Sequence, residues 1–442
     1  MTKKKVLFIG LMLFSLFFGA GNLIFPPLLG LESGNDFAPA ISGFLITGVL
    51  LPFIAVLAVA ITDGGLVSIG SRVHHVFGIA FAIIVYLSIG AFYGIPRAAS
   101  VAYELGFQQV FHSEGQLAII LFSFVFFALT FVICLNPKKI VDRVGQILTP
   151  ILLIMLAILF VRAFFILDNP VLPAAEKYES TPFVSGFLEG YFTMDAIAAL
   201  AFGIVVVNAL KDSGLKTKAE QVKGTLWAGI IAGIGLGVVY LALGWIGSVI
   251  PKETTYENGA HILTVASRLL FGTTGSFIFG IIVILACITT CVGLINACAR
   301  FFHELYSKIS YKTYVTIFVI VGFSVSSLGL SVILDIAVPI LVFTYPIAIV
   351  LVGLSLMEKV VGKSNTMYRL AVLFTFVYAI YDVLTSFGLS VEAMGNLLDF
   401  APFFDYGLGW VLPAIVGGVI GCVFDKLRVT EGQAVHEGVQ NK

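Results

Sequence analysis

Charged residues are scarce in this sequence, and their scarcity excludes most classes of soluble protein. Only 11% of the 442 residues are Asp, Glu, Lys or Arg, whereas 59% are hydrophobic and the mean hydropathy is +1.06. A soluble domain could not keep so much apolar surface away from water. The formal net charge is zero, so the chain offers no excess of basic charge for a nucleic acid, and we expect no nucleic-acid partner.

Cysteines and catalytic signatures are also rare. The five cysteines are odd in number and form no convincing metal-ligand spacing, so we interpret them as small packing residues. The metalloprotease pattern His-Glu-x-x-His and the hydrolase pattern Gly-x-Ser-x-Gly are absent from the sequence. We therefore expect no enzyme activity and no cofactor, and nothing in the sequence indicates an obligatory protein partner.

Long uncharged runs are what the sequence has instead. Ten runs of 18 residues or more contain no Asp, Glu, Lys or Arg, and each is long enough to cross a lipid bilayer. The runs are 6–31, 37–62, 73–96, 115–137, 144–161, 224–251, 269–299, 313–334, 336–357 and 406–424. Segments 182–210 and 369–391 qualify if their few acidic residues are tolerated. The sequence therefore predicts an all-α polytopic membrane protein with 12 transmembrane helices, forming a single membrane domain over residues 1–442.

The distribution of basic residues predicts the orientation of the chain. Twelve crossings place both termini on one side, and with the N-terminus inside, 20 of the 25 Lys and Arg residues fall in cytoplasmic segments. Cytoplasmic loops are enriched in these residues. We predict a multi-pass protein of the cell (plasma) membrane with cytoplasmic N- and C-termini.

Two apolar segments contain residues that interrupt a helix. In the first, Gly19 and Gly21 disfavour a continuous helix, and Pro26 and Pro27 remove backbone donors. Main chain left unpaired at membrane depth survives only when it is buried in protein or lines a cavity, which is where a solute would bind. The alternative is a packing kink that the side chain of Asn22 caps.

The second interrupted segment carries an acid. Asp195 lies about ten residues into the sixth span, near the bilayer centre, where an Asp costs about 2.5 to 3.5 kcal/mol. An acid in this position is a candidate functional group. Alternatively, it ties helices together through hydrogen bonds to Thr193 or Asn22.

Arg97 is the only basic residue deep within a predicted span. We expect it to form a structural or gating ion pair with Asp195, Glu104 or Glu189 rather than to contact a substrate.

The order of the interrupted helices predicts two repeats. The first and sixth helices are broken, and four unbroken helices follow each. This pattern predicts a 5+5 arrangement with a first repeat over 6–167, a second over 182–357, and two accessory C-terminal helices over 368–425. An odd number of crossings in each repeat inverts the second relative to the first, and such inverted repeats bind solutes near the midplane, where the broken helices meet.

A third polar element lies in the eighth span. Thr289 and Thr290 are adjacent hydroxyls, and neutral oxygen donors suit a small alkali cation. Threonine hydroxyls in membrane helices also commonly bond to their own backbone, so both interpretations remain open.

The two interrupted segments resemble a known family. Phe18-Gly19-Ala20-Gly21-Asn22-Leu23-Ile24-Phe25-Pro26-Pro27 and Gly190-Tyr191-Phe192-Thr193-Met194-Asp195 are similar to segments of the bacterial branched-chain amino acid:cation symporters of the BrnQ type, and the similarity extends over essentially the whole chain. The resemblance implies the leucine-transporter-like superfold and sodium- or proton-coupled uptake of leucine, isoleucine and valine.

The resemblance also implies cation sites. The implied sodium site combines carbonyls of the first helix with an Ala-x-x-Thr-Thr element of the eighth: Ser15, Phe18, Ala286, Thr289 and Thr290. A second implied sodium site would use Asn22 and Thr193. This chain has one residue fewer between Asn22 and the following proline than the wider architecture usually has.

An amino-acid substrate needs partners for both of its charged groups. Half-helix N-termini attract its carboxylate, and carbonyls at half-helix C-termini accept from its ammonium group. We expect the substrate to contact Gly19, Ala20, Gly21, Asn22, Tyr191, Phe192, Thr193, Met194 and Asp195.

Several functions remain open from the sequence. We favour sodium as the coupling ion because Thr289 and Thr290 are neutral and the fifth span has no Lys, whereas Asp195 would suit a proton. A carrier of the same fold for nucleobases or another small solute is an alternative. A channel, which also uses broken helices and midplane polar groups, is the alternative from a different class.

Overall fold

The fold is entirely helical in the part of the chain that can be described. The structure, a computed structural model, describes residues 3–62, 65–108, 111, 115–135, 137–251, 255–389 and 391–440, and these contain no strand. The α-helices are α1 (Lys3–Phe17), α2 (Ala20–Ser33), α3 (Phe37–Leu45), α4 (Leu51–Thr62), α5 (Gly65–Gly70), α6 (His75–Leu87), α7 (Gly94–Ala102), α8 (Gln116–Leu135), α9 (Pro137–Ile166), α10 (Glu176–Glu179), α11 (Pro182–Glu189), α12 (Asp195–Asp212), α13 (Lys218–Val249), α14 (Gly259–Leu305), α15 (Tyr311–Ser326), α16 (Leu330–Val361), α17 (Asn365–Ser386), α18 (Glu392–Leu398) and α19 (Val411–Gln440). Short π-helical segments continue α3, α6 and α7.

Seven helical stretches of the described residues are long and apolar enough to cross a membrane. They are Ala20–Thr62, His75–Gln108, Gln116–Leu135, Lys218–Val249, Gly259–Leu305, Leu330–Glu358 and Asn365–Ser386. The pair formed by Pro182–Thr193 and Asp195–Asp212, bent by 44°, makes an eighth if it is one span. The prediction of an all-helical, multi-pass membrane protein is confirmed.

The count of twelve crossings differs from these stretches for a physical reason. The predicted first span is split, so that Val6–Phe17 alone is a short apolar helix, and the helical stretch from Ala20 continues to Thr62 without a qualifying gap. Pro150–Ile166 and Tyr311–Ser326 are likewise apolar but short. The number twelve and the repeat bounds therefore stay predictions.

The first break lies at Phe18 and Gly19. Helix α1 ends at Phe17, Gly19 is extended with φ −132° and ψ −164°, and α2 begins at the next residue. Pro26 and Pro27 lie inside α2 rather than at its start. Because they lack N–H groups, they leave carbonyls one turn earlier without their usual helical donors.

The second break is a tight turn between α11 and α12. Residues Gly190–Thr193 form one turn of 3₁₀ helix, and Met194 then adopts a left-handed conformation with φ 64° and ψ 8°. A residue other than glycine rarely adopts this backbone conformation, and such residues cluster at functional sites. Both interruptions predicted from the sequence are present.

Glycines bring the broken helices against their neighbours. A Cβ atom on Gly30 of α2 would lie 1.8 Å from the Gly244 carbonyl oxygen of α13, and one on Gly247 would lie 1.9 Å from the Pro27 oxygen. A Cβ on Gly186 of α11 would similarly lie 1.9 Å from the Ala40 oxygen of α3. The helices pack so closely at these glycines that no side chain fits between them. This packing fixes the position of each break relative to a neighbouring helix.

The described chain forms two compact units. The first comprises Met1–Val56 and Tyr86–Ala337 and contains both breaks. The second comprises Leu57–Val85 and Val338–Lys442, and in it the Asp425 carboxylate accepts hydrogen bonds from the Ser364 and Thr366 hydroxyls at the start of α17. The proposed accessory segment 368–425 falls within the second unit.

Replacing Gly247 by alanine tests the close approach of α2 and α13. The added methyl group would overlap the Pro27 carbonyl, and overpacking of this kind costs about 1–3 kcal/mol. We expect purified Gly247→Ala in detergent to melt at a lower temperature than the wild type. Gly237→Ala, in the same helix, is the control because its Cβ would meet nothing within 4 Å. Equal melting of the two variants would contradict the packing.

Candidate functional site at two broken helices

Asn22 joins the first break to the second. Its side-chain oxygen accepts a hydrogen bond of 2.8 Å from the Gly19 N–H, which caps the start of α2. Its side-chain nitrogen donates a bond of 2.8 Å to Oδ2 of Asp195. Asn22 is therefore both a cap of α2 and a bridge to Asp195.

Asp195 is the first residue of α12 and is 3% exposed. The Tyr240 hydroxyl of α13 donates to the same Oδ2 atom at 2.6 Å, and Asn22 also contacts this hydroxyl. The main-chain N–H of Asp195 donates to Thr193 Oγ1 at 3.3 Å. A helix N-terminus favours negative charge, so two side chains and the helix start hold the carboxylate in place.

The guanidinium of Arg97 lies at the end of the preceding half-helix. Nη1 donates to the Phe192 carbonyl at 2.5 Å and to the Tyr93 hydroxyl at 2.9 Å, and Nη2 donates to the Thr193 carbonyl at 3.1 Å. These carbonyls lie at the turn where the left-handed residue Met194 interrupts the helix. Arg97 therefore satisfies main-chain groups that the break leaves without helical donors.

The expected ion pair of Arg97 is wrong. In the described part of the chain, Arg97 forms no ion pair with the three acids expected as its partners, and Glu189 pairs with Lys177. Glu104 instead accepts a hydrogen bond of 3.0 Å from Asn258. The sequence shows which side chains are charged. It does not show that carbonyls freed by a broken helix can bind a buried guanidinium in place of an acidic side chain.

Gly21 makes room for Arg97. A Cβ atom at Gly21 would lie 2.6 Å from the guanidinium carbon of Arg97, so the guanidinium lies directly against the backbone of α2. It also lies over the Tyr93 ring, 4.4 Å from its centroid, and 5.8 Å from that of Phe25. The Nε atom of Arg97 is buried and has no hydrogen-bond partner among the described residues.

A cavity of about 30 Å³ lies between the two breaks. Seven of the predicted site residues line it: Gly19, Ala20, Asn22, Thr193, Met194, Asp195 and Thr290. The others do not: Ser15, Phe18, Gly21, Tyr191, Phe192, Ala286 and Thr289. The space suits roughly one or two water molecules, because Arg97 and the two breaks fill the rest.

The two threonines of the eighth predicted span differ in their hydrogen bonding. The Thr289 hydroxyl donates to the Ala286 carbonyl at 2.8 Å, which is the local bonding that threonine commonly makes. The Thr290 hydroxyl oxygen is buried without a partner in the described part of the chain. A Cβ on Gly19 would lie 3.3 Å from that oxygen, so Thr290 reaches the first break. The roles of the Ser15 and Phe18 carbonyls stay predictions.

A second and larger cavity opens beyond the site. It has a volume of about 770 Å³, and Ser100, Glu104, Asn258 and Arg268 are among its lining residues. Ser100 lies one turn beyond Arg97 on α7, so one helix lines both cavities. Hydroxyls and charges of both signs line this larger space.

Sequence comparisons identify the family. A family model described as branched-chain amino acid transport protein matches residues 2–428. The chain is 40% identical over 436 residues to the branched-chain amino acid permease BrnQ of Bacillus subtilis, covering 97% of this chain and 99% of that protein. It is 42% identical over 428 residues to BrnQ of Corynebacterium glutamicum, covering 96% of each. The chain belongs to the branched-chain amino acid transport protein family.

A solved transporter structure has a similar fold. Mhp1, a nucleobase-cation-symport-1 family transporter solved in a closed conformation with bromovinylhydantoin bound, matches with a TM-score of 0.60 over 96% of this chain and 92% of Mhp1. At 15% identity this likeness shows the fold alone. Since its relatives are named permeases, this member of the branched-chain amino acid transport protein family is a membrane transporter and not an enzyme.

Tyr240 and Tyr93 are the site residues that the sequence did not reveal. Tyr240 lies in the middle of an apolar helix, where a tyrosine is unremarkable, and its role depends on the close packing of α13 on α2. Tyr93 precedes α7, and the sequence Tyr93-Gly94-Ile95-Pro96 gives the only signal, an irregular start one turn before Arg97. In this family member, both hydroxyls position a charged group.

Replacing Asn22 by alanine tests the bridge between the breaks. The change removes a donor to Asp195 and the acceptor of the Gly19 N–H, and leaving such buried groups unpaired costs about 1–3 kcal/mol. We expect Asn22→Ala to lower the melting temperature of the purified protein. Asn208→Ala, at an exposed position of α12, is the matched control. A variant as stable as this control would contradict the bridge.

Proposed function

We propose that this protein is a secondary active transporter that takes up leucine, isoleucine and valine by sodium-coupled symport at the plasma membrane, with both termini cytoplasmic. Substrate and ion would enter from one side and leave on the other by alternating access. The observation that carries this proposal is the meeting of two broken helices at a cavity lined by Asn22, Asp195 and Thr290. Matching relatives named branched-chain amino acid permeases support the class of substrate.

The site offers partners for an amino acid. The N–H group of Ala20, in the first turn of α2, suits a carboxylate, and Asp195 suits an ammonium group. Apolar side chains such as Met194 and Phe202 also line the space. A hydrophobic pocket separates substrates that differ by one methylene by only about 1–3 kcal/mol, so the three branched-chain amino acids should be accepted as a group.

Sodium is favoured by Thr290. Its hydroxyl oxygen is buried, lacks a partner within the described chain, and lies beside Gly19 at the first break. Neutral hydroxyl and carbonyl oxygens suit a hard monovalent cation. One positive charge moving through 100 mV yields about 2.3 kcal/mol, which would drive accumulation of the substrate.

A proton is the second candidate for the coupling ion. Asp195 is a carboxylate that is almost completely buried at the second break. Ionisable groups within membrane proteins commonly mark proton pathways. Asn22 and Tyr240 donate hydrogen bonds to this carboxylate, and such bonds stabilise its charged form.

Transport by reconstituted protein tests the proposed function. Liposomes with an imposed sodium gradient, a proton gradient or no gradient would be assayed for uptake of labelled leucine, with a labelled nucleobase as the competing substrate class. We expect leucine accumulation with the sodium gradient, and its loss when sodium is replaced by choline. Sodium-independent uptake with a steep pH dependence would assign the proton instead. Passive flux without accumulation would indicate a channel.

Replacing Thr290 by alanine tests the cation site. Loss of one hydroxyl ligand should raise the sodium concentration for half-maximal leucine uptake about five- to tenfold. Thr316→Ala is the control, because the Thr316 hydroxyl bonds only to the Lys312 carbonyl of its own helix. An unchanged sodium requirement in Thr290→Ala would remove Thr290 from the site.

A further inference from the structure

Two opposite charges line the small cavity without pairing with each other. Arg97 and Asp195 are both buried and both line the space between the breaks, yet they form no ion pair. Opposite charges attract strongly in a low-dielectric interior and pair directly unless other groups hold them. Here Asn22 and Tyr240 hold the carboxylate, and the carbonyls of the broken helix hold the guanidinium. The cavity therefore presents a separated positive and negative charge.

Two sources of positive potential converge on one side of this cavity. The guanidinium lies against Gly21, where α2 starts, and a helix N-terminus carries a partial positive charge on N–H groups without intrahelical partners. A guanidinium beside a helix start is repelled by it, and an anion close to both would offset that repulsion. The place is suited to a carboxylate.

Arg97 has donor capacity left for such an anion. A guanidinium has five N–H donors. The bonds to Phe192, Thr193 and Tyr93 leave its Nε buried without a partner in the described chain. A buried unpaired donor is costly, and hydrogen bonds from a guanidinium to a carboxylate are among the strongest in proteins.

We propose that Arg97 binds the α-carboxylate of the transported amino acid while Asp195 faces its ammonium group. The inference rests on the proposed function and assigns its selectivity for zwitterions to two residues. Leucinamide, a cation without a carboxylate, and 4-methylpentanoate, an anion without an ammonium group, would each leave one of the two charges unpaired. The wild-type protein should bind leucine far more tightly than either analogue.

Calorimetric titration of purified protein in saturating sodium tests the assignment. We expect Arg97→Gln to weaken leucine binding by about 10- to 100-fold, the effect of losing a charged hydrogen bond, with little change for leucinamide. Asp195→Asn should show the opposite selectivity, so that leucine loses affinity and 4-methylpentanoate does not. The reciprocal pattern is the result that a purely structural role would not produce.

A second variant keeps the test decisive if Arg97→Gln does not fold. Gly21→Ala places a methyl group 2.6 Å from the guanidinium carbon and so displaces Arg97 without removing its charge. We expect it to weaken leucine binding more than leucinamide binding. Gly237→Ala is the control, since its Cβ meets open space.

Three results would overturn the assignment. Tighter leucine binding by Arg97→Gln would mean that the guanidinium competes with the substrate for the carbonyls of Phe192 and Thr193. Equal weakening of leucine and leucinamide would mean that Arg97 only supports the break. Wild-type protein that neither binds nor takes up branched-chain amino acids would overturn the proposed function as well, whereas normal uptake by the wild type with either of the first two results would overturn this inference alone.

Discussion

The burial of the Asp195 carboxylate is the constraint on which the rest of the site depends. An ionised carboxylate in an apolar interior is stable only when hydrogen-bond donors surround it. Its donors are the side chains of Asn22 in α2 and Tyr240 in α13, and Asp195 itself is the first residue of α12. One acid therefore holds both broken helices and an unbroken helix in a single arrangement. A substitution of any of these three residues should alter the position of the other two.

The same physics explains why Arg97 and Met194 belong together. The left-handed turn at Met194 ends a helix at the second break, so that the carbonyls of Phe192 and Thr193 lose their helical donors. Main-chain groups left without donors are costly inside an apolar bundle. The Arg97 guanidinium supplies them and gains the polar partners that it needs in turn. A strained residue and a buried cation thus stabilise each other.

The sequence predicted the breaks because their signal is local. Glycine disfavours a continuous helix and Asp is costly at membrane depth, and the two interruptions lie where Gly19 and Asp195 indicated. The partners of Arg97 were not predictable, because main-chain acceptors have no sequence signature. Tyr240 was missed because its approach to Asp195 depends on the contact of α13 with α2. Gly30 and Gly247 permit this contact, and they lie in helices that are distant from each other in the sequence.

The size of the cavity sets a condition on any transport cycle. A space of about 30 Å³ holds water but not a branched-chain amino acid, so substrate binding requires the groups that line it to move apart. The helical conformation is already interrupted at Gly19 and Met194, where few helical hydrogen bonds need to be broken for one half-helix to turn against the other. The groups that resist such a turn are the hydrogen bonds at Asp195 and Arg97. A zwitterion that binds these two residues through its own charges would replace some of the hydrogen bonds that the movement breaks. Opening of the site would then depend on the charged groups of the substrate.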